Sequence, residues 1–202
     1  MRHKLVRTLL ALAVLSFGTA ILAHAGPTNL VTNGSFETGD FTGWTPVGDT
    51  SFNGVCSDGS CPISGGWNAE DGVYSAYFGP VGDLGGISQI ISTTPGDQYT
   101  VSFWLALPQA GTPNFFQVEF GNAVLTINNW GGSFGWQEFT LSTMATSSQT
   151  NLEFLFRNDP SYWFLDNVSV TQGSSTPEPG TLIMFGTGLL GLAGVARRKF
   201  FN

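Results

Sequence analysis

Between Gly26 and Thr176 the sequence contains no histidine and no lysine. Both histidines of the chain, His3 and His24, come earlier, and the span's single basic residue is Arg157. Against that one cation stand thirteen Asp and Glu residues, a net charge near −12. A Ser-His-Asp or Cys-His nucleophile needs an imidazole base, so familiar acyl-transfer chemistry is excluded. Zinc sites draw mainly on His and Cys, and only two cysteines exist, which leaves no zinc ligand set. Nucleic acid binding needs a cationic footprint, and this span would repel a phosphate backbone. A sustained helical period is also missing throughout the span.

What remains is long enough, at about 150 residues, for one domain with a sizeable core. Twenty-three aromatic residues lie in it, far too many for a disordered linker. Apolar residues alternate with polar ones, punctuated by Gly, Asn, Asp and Pro. In Gln98–Ala106 the residues Tyr99, Val101, Phe103 and Leu105 share a face; Phe116, Val118 and Phe120 repeat the pattern, as do Leu152, Phe154 and Phe156, and Phe164, Val168 and Val170. Shorter strands are predicted at Val73–Phe78, Ile87–Ser92, Ala123–Ile127 and Trp136–Leu141, with Pro95-Gly96-Asp97 as a turn. Eight to ten short strands predict an all-β fold, a β-sandwich or jelly roll. Cys56 and Cys61 enclose Ser-Asp-Gly-Ser. In a chain bound for an oxidising compartment they read as a disulfide that shapes a loop, the alternative being two free thiols.

The charges absent from the middle are at the ends. Arg2, Lys4 and Arg7 precede an apolar run to Leu22 and then Ala23-His24-Ala25, a small-x-small cleavage site. Residues 1–25 therefore read as a signal peptide for signal peptidase, rather than an uncleaved anchor. At the other end a Ser/Thr/Pro/Gly-rich linker, 172–180, leads through Pro177-Glu178-Pro179 into an apolar stretch, Thr181–Ala196, and then Arg197-Arg198-Lys199. That stretch is just short of the roughly 17–25 residues of a usual span, and the three cations place its C-terminus inside. Residues 181–202 are thus expected to form a single C-terminal transmembrane helix with a basic tail, attaching the chain to the membrane before processing. The triplet, the Gly-rich apolar helix and the basic end resemble the PEP-CTERM sorting signal. The resemblance implies recognition by an exosortase, a membrane-embedded transpeptidase-like protease. It further implies an inner-membrane intermediate, then a place at the cell surface or in the extracellular matrix of a Gram-negative bacterium that makes exopolysaccharide. A plain membrane anchor is the alternative.

Asp166 breaks the inward pattern of the middle domain. By alternation it shares the phase of Phe164, Val168 and Val170, so its carboxylate is expected to point into the apolar layer. A buried charge is costly unless paired or metal-bound. Arg157 lies opposite in phase to Leu152, Phe154 and Phe156 and should face outward, which favours a hard cation with oxygen ligands. The stretch Asn29–Glu37 with Phe41–Trp44 resembles the opening of galactose-binding-like, carbohydrate-binding jelly rolls, and Tyr162–Val170 resembles their closing strand. The resemblance implies that first and last strands meet and that Glu37 and Asp166, with backbone carbonyls near Ser35 and Trp44, hold a structural calcium ion (Ca2+). The alternatives are a turn carboxylate for Glu37 and, for Asp166, a cap over backbone amides. The whole span 29–171 also resembles the extracellular domain common in PEP-CTERM proteins, and 26–171 is read as the β-sandwich ectodomain.

Sugar sites use aromatic platforms beside a few polar groups. Trp67, Trp130 and Trp136 lie in Gly- and Asn-rich surroundings, and Tyr74 and Tyr77 precede the turn at Gly79-Pro80. Each is a sugar-stacking candidate, with core packing as the alternative. The resulting expectation is an exported, non-catalytic surface or matrix protein that binds exopolysaccharide. The competing expectations are a calcium-dependent, self-associating structural protein and a glycosidase, since two carboxylates alone run that chemistry.

Overall fold

A computed structural model describes residues 28–63 and 67–173. The expected signal peptide, 1–25, and the expected transmembrane helix, 181–202, lie outside the described residues. Ten strands follow one another in the chain: β1 Thr45–Gly48, β2 Asn53–Ser57, β3 Tyr74–Phe78, β4 Gly85–Ser92, β5 Gln98–Leu107, β6 Asn114–Phe120, β7 Ala123–Asn128, β8 Phe134–Met144, β9 Gln149–Asn158 and β10 Trp163–Gln172. They form two five-stranded sheets, sheet A in the order β1-β4-β9-β6-β7 and sheet B in the order β2-β3-β10-β5-β8. All pairings are antiparallel.

The alternation read from the sequence is what joins the two layers. Tyr99, Val101, Phe103 and Leu105 of β5 are fully buried, as are Phe116, Val118 and Phe120 of β6 and Leu152, Phe154 and Phe156 of β9. Their rings interdigitate: Phe78 stacks on Phe156 with centroids 4.0 Å apart, and Phe103 meets Phe154 edge-on at 5.3 Å and Phe116 at 5.6 Å. Burying each such ring contributes about 1.5–3 kcal/mol, and this apolar layer holds sheet to sheet.

The opening segment is not a regular strand, yet it runs beside the last one. Leu30 donates to the Val170 carbonyl at 2.9 Å and Val168 donates to the Gly34 carbonyl at 2.8 Å. Asn29 fastens the same place, accepting from Val170 N–H and donating to the Val168 carbonyl. Gly34 has to be glycine, because a Cβ there would stand 2.1 Å from the Val168 oxygen. Phe36 and Trp44, brought in by these turns, stack at 6.0 Å on the core.

One expectation is corrected. Asp166 does not face the layer between the sheets. The pairing of β10 with β5 shifts register between Asp166 and Ser169, and Asn167 adopts a left-handed φ of 49°. This bulge inverts the side-chain parity of the strand. Trp163, Leu165, Val168 and Val170 pack in the main core, whereas Phe164 joins a second cluster on the outer face of sheet B, and Asp166 shares that face.

Candidate functional site

On the outer face of sheet B, Asp166 is fully buried beneath the segment that leads into β3. Its Oδ2 accepts from the Glu70 and Asp71 amides at 2.8 and 3.2 Å, and its Oδ1 accepts from Asn167 N–H at 2.7 Å. Burial pushes its carboxyl up to about 7; the Asp71, Glu70 and Asn167 amides pull the other way, and the Glu70 charge adds to the rise. Glu37 grips the next residues, its Oε1 accepting from Val73 and Tyr74 N–H, both at 2.9 Å. Gly72 makes this possible, with φ +70° and a missing Cβ that would lie 2.3 Å from Glu37 Oε1. The two carboxylates expected to meet do converge, on residues 70–74.

Their geometry is that of caps over backbone amides. Three of the four carboxylate oxygens accept backbone N–H hydrogens, Asp166 Oδ2 and Glu37 Oε1 two each. Ser35 is half-buried in the neighbouring turn. Among the described residues no group of three or more His, Cys, Asp or Glu stands together to hold a metal ion. The atoms as they stand do not fit the calcium ion implied by the resemblance.

The sequence-named aromatics are divided among three places. Trp67 and Trp136 contact each other at 6.0 Å and both contact Phe164, at 5.7 and 6.5 Å. Trp136 Nε1 donates to the Asn68 carbonyl at 3.0 Å. Tyr77 packs edge-on against Tyr162 at 5.6 Å in the same cluster. The Cys56–Cys61 disulfide, with Cα atoms 5.1 Å apart, belongs to it as well. These side chains roof the outer face of sheet B. Tyr74 lies against Gly39, near Glu37. Trp130 is exposed, its ring edge-on to Phe134 at 6.1 Å and its backbone clasped at both N–H and carbonyl by the Asn114 amide.

Among the described residues, nothing roofs the outer face of sheet A in this way. Its two central strands set Phe115 opposite Arg157, Gln117 opposite Leu155 and Glu119 opposite Glu153. All six side chains are half-buried beside one another. Gln117 donates to Glu119, and Asn151 donates to Glu153 at 3.3 Å. Arg157 faces outward, as its phase requires, and pairs with Asp159 at 2.7 Å, which holds the Asp159 carboxyl below the usual carboxylate range. Trp130 follows Asn128, the register partner of Phe115, by two residues. The sequence places Gln117 and Glu119 opposite the buried face, but alternation within one strand does not give their neighbours on β9.

Two antiparallel sheets packed face to face form a jelly-roll β-sandwich, a fold shared with solved carbohydrate-binding modules. The structure of TmCBM61 in complex with beta-1,4-galactotriose is similar with a TM-score of 0.56 and 20% identity, over 72% of this chain and 99% of that one. The enzymatically active domain of bacteriophage CBA120 tailspike protein 4 is similar at 0.52 and 17% identity, over 72% of this chain and 21% of the tailspike chain. A xylan-binding domain from CBM 22 is similar at 0.50 and 14% identity, over 74% and 98%. No curated protein matches the chain. The chain belongs to the family described as "Protein of unknown function (DUF642)", whose model matches residues 29–171. The PEP-CTERM protein-sorting motif matches residues 175–199, which include Pro177-Glu178-Pro179 and Arg197-Arg198-Lys199. It marks an exported protein sorted through the membrane to the cell surface, with exosortase processing implied.

Proposed function

We propose that this is a non-catalytic surface module of a Gram-negative bacterium that holds exopolysaccharide on the outer face of sheet A. The observation that carries the reading is the open array of Phe115, Gln117, Glu119, Glu153, Leu155 and Arg157 in adjacent register. Phe115 and Leu155 offer apolar surface to a sugar ring, and the carboxylates and amides around them accept from and donate to its hydroxyls. Trp130, at the end of this face, is the sequence-named aromatic best placed to extend it. On this reading Trp67, Tyr77 and Trp136 serve to cover the outer face of sheet B, where they pack with Phe164 and Tyr162.

Hydrolysis is the second reading, because directly opposed residues on antiparallel strands have Cβ atoms about 4.5–5.5 Å apart and Glu119 and Glu153 are such a pair. A retaining glycosidase sets its two carboxyl groups about 5–5.5 Å apart. Glu119 is bound by Gln117 on its own strand, which favours a fixed binding role. Pull-down on insoluble neutral polysaccharides tests both readings. Retention of the wild type, loss with Phe115→Ala or Glu153→Ala, and unchanged retention with Trp67→Ala are expected, with no release of reducing ends. Equal retention of all three variants would place binding elsewhere.

A further inference from the structure

The two sides of the sandwich are finished differently. On one side the edge strands are β1, four residues long with Pro46 in it, and β2, five residues long and closed by the Cys56–Cys61 loop. Short length and proline are the usual protections of a sheet edge. On the other side the edges are β7, of sequence AVLTIN, and β8, of sequence FGWQEFTLSTM. Neither contains proline, lysine or arginine, and of the thirteen acidic residues between 26 and 176 only Glu138 lies on them. A register shift against Leu105–Leu107 irregularises the start of β8, but from Gln137 to Met144 it pairs regularly with β5 and offers an open ladder on its other side. Three large apolar residues are exposed on this same side: Val124 at 55%, Trp130 at 51% and Met144 at 62%.

We infer that the chain self-associates through this side, β8 of one copy pairing antiparallel with β8 of a second. An isologous contact needs a surface that complements itself. A nearly uncharged strand meets that condition, whereas almost any other part of so acidic a domain would repel its own copy. Backbone N–H and C=O groups left open on β8 supply the pairing, and Val124, Trp130 and Met144 lose exposed apolar surface beside it. The contact needs neither calcium nor glycan, so its test is independent of the glycan reading.

The test is the mass of the full chain in detergent, by light scattering across a hundredfold range of concentration, with and without chelator. The wild type should give two copies per particle with or without chelator. Thr140 and Ser142 are exposed and share the face of Glu138, so Thr140→Glu/Ser142→Glu sets like charges against like in any antiparallel register. It should raise the dissociation constant about tenfold or more. Thr126→Glu on β7 should weaken the same dimer, and Thr45→Glu/Thr50→Glu, which adds equal charge on the protected side, should leave it intact. Matching near-ultraviolet circular dichroism confirms that each variant is folded. A wild type that stays monomeric, a dimer lost on chelation, or a dimer that survives both β7 and β8 variants overturns the inference.

Discussion

Asp166 is the residue whose chemistry departs furthest from its type. An unfolded aspartate releases its proton near 3.9, whereas this one is held up to about 7 by burial. Between those values the native state keeps a proton that the unfolded state has lost, so stability falls as pH rises through that window and levels off above it. The total loss is about 4 kcal/mol at most for a shift of this size. Melting temperature should therefore rise when pH is lowered from 8 to 5, and Asp166→Asn should remove that slope. The Asn variant should also be less stable at pH 5, by about 1–3 kcal/mol, because its NH2 group cannot accept from an amide N–H. A wild-type melting temperature that stays level over that range would refute the assignment. Calcium is tested at the same two carboxylates. With their oxygens committed to the amides of residues 70, 71, 73, 74 and 167, a chelator is expected to leave the melting temperature unchanged. A fall on chelation that calcium alone restores would instead establish the ion implied by the resemblance.

Among the elements, the disulfide loop before β3 is the one most easily perturbed. A loop this short contributes about 2 kcal/mol, so Cys56→Ser/Cys61→Ser should lower the melting temperature by about 5 °C. It lies against sheet B, so retention on polysaccharide by sheet A should not change. Lost retention in a folded double variant would move the binding face to the roofed side. The same elements show what the sequence could and could not tell. β5, β6 and β9 were legible because each puts every second side chain into the apolar layer. β1 and β2 were not, since short edge strands holding Pro46, Gly48 and Gly54 show no alternation. The bulge at Asn167 was hidden because a one-residue parity change leaves a run of apolar residues looking continuous, and with it went the direction of Asp166. The open array on sheet A was half legible: Gln117 and Glu119 point outward by alternation, but Glu153, Leu155 and Arg157 reach them only through the pairing of β6 with β9.

For the whole molecule, the distribution of charge limits what the module can hold. The domain is close to −12, and its single cation already faces Asp159 across 2.7 Å. The open face itself presents Glu119 and Glu153. A polyuronate would bring carboxylates against carboxylates with no free cation among the described residues to receive them. A neutral hexose polymer meets no such barrier and uses the same carboxylates as hydroxyl acceptors. Salt separates the cases, because at about 0.15 M the field of exposed charges already fades over about 8 Å. Retention on a neutral polymer should be the same at low and high ionic strength, since it rests on contact hydrogen bonds and apolar surface. Retention on a polyuronate should be absent at low salt and remain weak when salt screens the repulsion. Tight binding of a polyuronate at low salt, in the presence of chelator, would contradict both the face assigned here and the charge argument for a neutral ligand.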